Sequence, residues 1–150
     1  MYPQAERPKL KPSRDAIERL RCNFVNAGNL RLQKFFYRID IMTESEFLAR
    51  ADDILDKIQA QADGWFEHLD IDVDANRSGQ VLTLVFDSTR HVVINSQAPL
   101  QEMWVAAPSG AFHYRFDGQI WQDTRGGTDL ATNVATLCSD IAGQKLTVTL

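Results

Sequence analysis

Residues 42–150 are predicted to form an α+β domain, a two-layer sandwich with two terminal helices packed on one face of an antiparallel sheet of about six strands. Three observations predict it. Apolar residues recur at helical spacing between Ser45 and Asp63, and again from Thr128 or Asp129 to Ala142. Between these stretches, short β-branched and apolar runs alternate with turn signals, the pattern of a meander.

The first helix is set by Phe47, Ala51, Ile54, Leu55, Ile58 and Ala62, which form one stripe at about 100° per residue. Thr43 or Ser45 can cap its start, and Glu44 and Glu46 suit the positive helix end. Asp63-Gly64-Trp65 is expected to end it. A strand is then expected over 69–74, with Leu69, Ile71 and Val73 facing one way and Asp70, Asp72 and Asp74 the other. Asn76-Arg77-Ser78-Gly79 reads as a turn. Further strands are expected at Gln80–Phe86, His91–Ile94, Leu100–Ala107, Ala111–Phe116 and Gln119–Trp121, the last pair joined by an Asp117-Gly118 hairpin. Leu130, Val134, Leu137 and Ile141 set the second helix, and Gly143 stops it. With both helices on one sheet face, the other face is left open for binding.

The 150 residues suit one compact domain plus some extra chain. The net charge of −4 hides a split: residues 1–41 carry +5 and residues 42–150 carry −9. Pro3, Pro8 and Pro12 argue against early structure, although Ser13 could cap a short helix. Residues 1–41 are therefore expected to be a basic, disordered or non-native extension, and 42–150 the folded domain. The acids of 1–41 speak against a transit peptide. Cys22 and Cys138 have no metal or redox spacing, and Cys138 is expected to be a buried thiol. A reducing compartment, the cytoplasm, is expected. No apolar run approaches the ~20 residues that span a bilayer. A strongly acidic domain repels nucleic acid and attracts cations and basic proteins.

The acids concentrate in one stretch. Residues 43–74 hold ten, among them Glu44, Asp52, Asp56, Asp63, Glu67, Asp70, Asp72 and Asp74, against Arg50 and Lys57 alone. Such a surface suits metal cations and a basic protein partner. Adjacent outward carboxylates on a strand sit about 6.6 Å apart, two steps of ~3.3 Å, whereas metal–oxygen bonds are nearer ~2.0–2.6 Å. Several weak, water-rich sites for hard cations are expected, not one tight cage. Asp70 to Asp74 superficially follows a calcium loop, but Ala75 and Val81 stand where that loop needs Gly and Glu. The plainer alternative is that these acids are a solvated face protecting a sheet edge. His68, His91 and His113 stand apart from one another, and no nucleophile arrangement is recognisable, so no enzyme activity is expected.

Asn95-Ser96-Gln97-Ala98-Pro99-Leu100-Gln101-Glu102-Met103-Trp104 resembles the central signature of the frataxin family, an Asn-x-Gln-x-Pro segment running into a strand that bears Trp. The resemblance extends over about 42–150. It includes Ser45-Glu46-Phe47, Asp70-Ile71-Asp72-Val73, Val81-Leu82-Thr83-Leu84, Trp121 followed by Asp123-Thr124-Arg125-Gly126-Gly127, and the closing helix. The bacterial branch is the most similar. The resemblance implies an iron-binding protein that modulates iron–sulfur cluster assembly without being an enzyme. It implies a cysteine desulfurase as partner, and the scaffold protein as a second. It implies weak, surface-bound Fe²⁺ or Fe³⁺ on Glu44, Asp52, Asp63, Asp70, Asp72 and Asp74, with other divalent cations able to substitute. Asp56 and Glu67 join that set on their position in the acidic stretch. The sequence departs from the family pattern at Gln59, Ala60, Gly64, Phe66 and His68, where further acids would be expected. The resemblance implies that Trp104 lies on the open sheet face beside Asn95 and Gln97, where an indole among amides is a partner anchor. Glu102 shares its phase and is expected to prefer water, and Trp65 and Trp121 are expected in the core as tryptophans usually are. A monomer is expected, with no nucleic acid and no membrane as partner.

Removal of residues 1–41 is expected to leave the fold intact. A chain beginning at Met42 should be soluble and give the mixed helix and sheet circular dichroism of the full-length protein. An insoluble or unfolded product would overturn the boundary.

Overall fold

A computed structural model describes residues 42–150. The expectations for residues 1–41, including the helix opening at Ser13 and the environment of Cys22, lie outside the described residues. The described elements run α1 (Glu44–Leu69), β1 (Val73–Ser78), β2 (Val81–Phe86), β3 (Arg90–Gln97), a 3₁₀ turn (Ala98–Leu100), β4 (Glu102–Ala107), β5 (Gly110–Phe116), β6 (Trp121–Asp123) and α2 (Leu130–Ala142). The six strands follow one another in space in chain order, every neighbouring pair antiparallel. Both helices cover one sheet face, as the fold class requires.

Helix α1 starts in a capping box. The Thr43 hydroxyl accepts from the Glu46 backbone N–H, and the Glu46 carboxylate accepts from the Thr43 backbone N–H at 2.7 Å. That backbone bond, with a further one from the Thr43 hydroxyl, holds the Glu46 carboxyl below the usual carboxylate range. The helix does not end at Asp63-Gly64-Trp65. Trp65 lies seven residues after Ile58 and extends the apolar stripe by another turn, where it is buried. Burying an indole outweighs the roughly 1 kcal/mol that a helical glycine costs. Asp70 closes the helix in the left-handed conformation, φ 55°, its N–H bonded to the Trp65 carbonyl. A short polar side chain tolerates that geometry better than a bulky one.

The expected strand over 69–74 is corrected accordingly. Leu69 is helical and exposed, Asp70 is a cap, and the strand begins only at Val73. The alternation survives in Ile71 and Val73, which are buried, and Asp72 and Asp74, which are exposed. Asn76, Arg77 and Ser78 belong to β1, leaving Gly79 and Gln80 as the turn. Strand β3 runs on to Gln97, and Leu100 lies in the 3₁₀ turn instead of opening β4. The Asp117-Gly118 turn is a four-residue loop, because Phe116 pairs with Trp121. The Asp117 carboxylate accepts from the backbone N–H groups of Gln119 and Ile120, and β6 runs Trp121–Asp123.

The core fills the space between helices and sheet. Phe47, Leu55 and Ile58 from α1 meet Leu82, Leu84, Phe86, Val92, Ile94, Met103 and Val105 from the sheet, and Leu130, Val134 and Leu137 from α2. Phe47 and Trp121 meet edge to face at 5.9 Å. Asp129 caps α2 by accepting from the backbone and hydroxyl of Thr132, which holds its carboxyl below the usual range. Gly143 ends α2 at φ 67°. Residues 144–150 return across α1, with Leu146 buried and Gln61 exchanging two hydrogen bonds with the Thr149 backbone.

Two ionisable groups are sealed in this core. Cys138 is a buried free thiol, and burial pushes it up to about 12. Tyr114 is fully buried, its hydroxyl accepting from the Asn133 amide, and burial pushes the phenol to about 12. In the unfolded chain these groups lose their protons near pH 8.5 and 10. The unfolded state therefore holds fewer protons than the folded state at alkaline pH, and stability falls as pH rises through that window. At pH 10 the thiol alone should cost about 2 kcal/mol relative to pH 7. Urea midpoints should drop more steeply between pH 8 and 10 for the wild type than for Cys138→Ala; parallel curves would refute the assignment.

Candidate functional site

At about 100° per residue, Asp52, Asp56, Asp63 and Glu67 fall within about 60° of one another on α1, on the flank beside β1. All except Asp52 are exposed, and Asp52 is half-buried. Two pairs at i,i+4 spacing result, Asp52/Asp56 and Asp63/Glu67, separated by Gln59 and Ala60. The two pairs are not equivalent. Arg77 Nη2 lies 2.6 Å from Asp52 Oδ1, and Nη1 pairs with Asp56. Gln80 Nε2 also donates to Asp52 Oδ1, at 2.6 Å. At the other pair, among the described residues, Glu67 has only His68 Nε2, at 3.9 Å. No cation among the described residues stands within ion-pair distance of Asp63, Asp70, Asp72 or Asp74.

Asp70 and Asp72 line the connector that leaves this end of α1, and Asp74 follows on the edge strand β1, facing the open side of the sheet. The acids thus form a band that turns from helix to edge strand. The expected comb of three strand aspartates does not form, since only Asp74 is in β1. Glu44 stands apart in the first turn, roughly 28 Å along the helix axis from Asp63 at ~1.5 Å per residue. Arg50 and Lys57 lie on another flank: Lys57 pairs with Asp53 at 2.8 Å, and the Arg50 guanidinium sits 4.6 Å above the Phe116 ring.

Among the described residues no three His, Cys, Asp or Glu side chains group closely enough to hold one ion. The donors present are carboxylates, acting singly or in pairs, with water free to complete a coordination sphere. That chemistry fits loosely held hard cations.

The open sheet face is organised by register. Val81, Asn95, Trp104 and His113 stand in one cross-strand row, and Gln97, Glu102, Arg115 and Gln122 in the next. Trp104 is therefore beside Asn95, with Gln97 one row away, and is partly exposed. Trp65 and Trp121 are buried. Sequence reasoning missed His113, whose ring lies flat on Trp104 at 4.3 Å with planes 5° apart. It also expected Glu102 to prefer water. Glu102 is only 7% exposed, because one oxygen accepts from Trp104 Nε1 at 3.0 Å and the other from Arg115 Nη2 at 2.6 Å. The i+2 spacing of Glu102 and Trp104 on one strand face is the signal that could have found this pair. The result is a flat aromatic plate whose polar edge is already satisfied from within the sheet.

Glu102→Ala should release the Trp104 indole. The Trp104 indole N–H resonance should shift while those of Trp65 and Trp121 stay in place, with a stability loss of about 1 kcal/mol. An unmoved Trp104 resonance would show that Glu102 does not hold the ring.

Comparison with known proteins agrees with this architecture. Residues 40–144 match the family model of the frataxin-like domain. The chain is 56% identical over 109 residues to the iron–sulfur cluster assembly protein CyaY of Bordetella petrii, covering 73% of this chain and 100% of the relative. Among solved structures, frataxin from Psychromonas ingrahamii superposes with a TM-score of 0.63 at 29% identity, over 73% of this chain and 100% of its own. Trimeric frataxin from the yeast Saccharomyces cerevisiae, in a ferrous complex, superposes with a TM-score of 0.55 at 29% identity, over 63% of this chain and 86% of its own. A six-stranded meander under two helices, the acidic flank of α1 and a chain matched along nearly all of its described length make this protein a member of the frataxin-like family, of the bacterial CyaY type.

Proposed function

We propose that the protein binds iron weakly along the acidic band and regulates iron–sulfur cluster assembly by docking that band on a cysteine desulfurase. The observation that carries the proposal is the run of exposed carboxylates at Asp63, Asp70, Asp72 and Asp74, none of them compensated by a cation among the described residues. Such a run concentrates cations and steers a basic protein surface from a distance. The name of the Bordetella petrii relative supports the pathway, and the ferrous complex of the yeast relative supports iron as the ion carried. Iron is here cargo that is held and released, which suits carboxylates acting in ones and twos.

Trp104, with Asn95 and Gln97, serves on this reading as a second contact, toward the desulfurase or the scaffold protein. A partly exposed, pre-oriented indole loses little freedom on binding, the property of an interface anchor. A second reading keeps the docking and makes metal binding incidental. It is favoured by the lack of any three-donor group among the described residues.

The two surfaces should fail differently. Asp63→Lys with Asp72→Lys avoids the Asp70 cap and should slow association with purified desulfurase about tenfold at low salt. The difference should shrink when the screening length falls to ~8 Å. Trp104→Ala should speed dissociation and be nearly independent of salt. Surface plasmon resonance at two salt concentrations checks both, and an iron titration of each variant separates the two readings. Equal association rates for wild type and the Lys double variant would remove the band as a docking surface.

A further inference from the structure

Arg77 is the residue that the sequence reading placed in a turn. It lies instead on β1 opposite Leu82, in register with the core face of the sheet. Its stem runs beneath α1 and its side chain is only 18% exposed. All three guanidinium nitrogens are used: Nη1 on Asp56, Nη2 on Asp52, and Nε on the Gly79 carbonyl at 3.0 Å. Asp52 is further held by Gln80, whose own side-chain oxygen accepts from Ser96 at 2.8 Å. The guanidinium is thus tied to α1, to the β1–β2 turn and, through Gln80, to β3.

We propose that Arg77 is a specificity-determining residue of the acidic band: it occupies Asp52 and Asp56 as a built-in counter-cation and confines exchangeable metal to Asp63, Glu67, Asp70, Asp72 and Asp74. The inference rests on the cation-binding reading above. The two i,i+4 pairs on α1 have the same residue chemistry and spacing, and they differ in their occupant. A metal ion entering at Asp52/Asp56 must evict a guanidinium whose stem is covered and each of whose three nitrogens donates a hydrogen bond. At Asp63/Glu67 no arginine or lysine among the described residues has to be displaced. An exposed ion pair contributes little because two mobile chains must be ordered to make it. Here the cation is already fixed by the sheet, so less freedom remains to be lost and the pair competes better with dissolved ions.

The test uses the full-length protein and Mn²⁺ alone, whose paramagnetism broadens the amide resonances of nearby residues. In the wild type, residues 63–74 should broaden at lower Mn²⁺ than residues 52–56. Arg77→Leu should bring broadening at 52–56 at roughly two- to fivefold less Mn²⁺ than in the wild type, the affinity equivalent of one released ion pair. Broadening of 52–56 together with 63–74 in the wild type overturns the inference, as does an Arg77→Leu spectrum with the wild-type response. Broadening at neither segment in either protein overturns the cation-binding reading itself. Should Arg77→Leu not fold, Asp52→Asn with Asp56→Asn supplies the second measurement. Mn²⁺ affinity at 63–74 should then stay at the wild-type value, and a loss of total bound Mn²⁺ would overturn the inference.

Discussion

The rotation of α1 about its own axis decides what this molecule shows to solvent. Burial of Phe47, Ala51, Ile54, Leu55, Ile58, Ala62 and Trp65 against the sheet fixes that rotation. Once it is fixed, the positions between the apolar ones have no choice of direction. Asp52, Asp56, Asp63 and Glu67 must point along the flank beside β1, because they share an angular sector that the apolar stripe does not use. The acidic surface is thus held in place by apolar packing. Of its carboxylates, Asp52 and Asp56 add to that placement through Arg77 of β1.

The same logic orders the sheet. A period of two sends Leu82, Leu84, Val92, Ile94, Met103 and Val105 inward and leaves Val81, Asn95, Trp104 and His113 outward. With both helices on one side, an aromatic plate on the other side remains accessible. Acid band and plate therefore belong to different elements of one rigid frame, and each can change without repacking the core.

Much of this was legible in the sequence. Strand order, helix number and most of the core face followed from periodicity and turn signals. The end of α1 was hidden because Gly64 reads as a stop and Leu69-Asp70-Ile71-Asp72-Val73-Asp74 alternates as a strand would. Trp65, seven residues after Ile58, was the signal for a longer helix, and tertiary burial settled the conflict against local propensity. Arg77 was hidden for a related reason: Asn76-Arg77-Ser78-Gly79 has turn composition, and only the pairing with β2 draws three of these residues into a strand. Glu102 was misjudged because a carboxylate alone prefers water. Its two donors, Trp104 and Arg115, sit on its own and the adjacent strand, and single-sequence reasoning sees no cross-strand neighbours. Of the site, the acids were visible one by one, whereas the division between a held pair and an open end depends on a contact between residues 25 apart in sequence.

The return of residues 144–150 across α1 bears on how the chain matures. Gln61 and Thr149 are 88 residues apart, so this contact closes only after the whole sheet between them has been made. Until the strands have followed it, α1 has no sheet on which to pack its apolar stripe, and exposed apolar surface is what makes nascent chains aggregate. The acids on its flank are present from the start. Like charge on that flank opposes the association of such stripes between neighbouring copies.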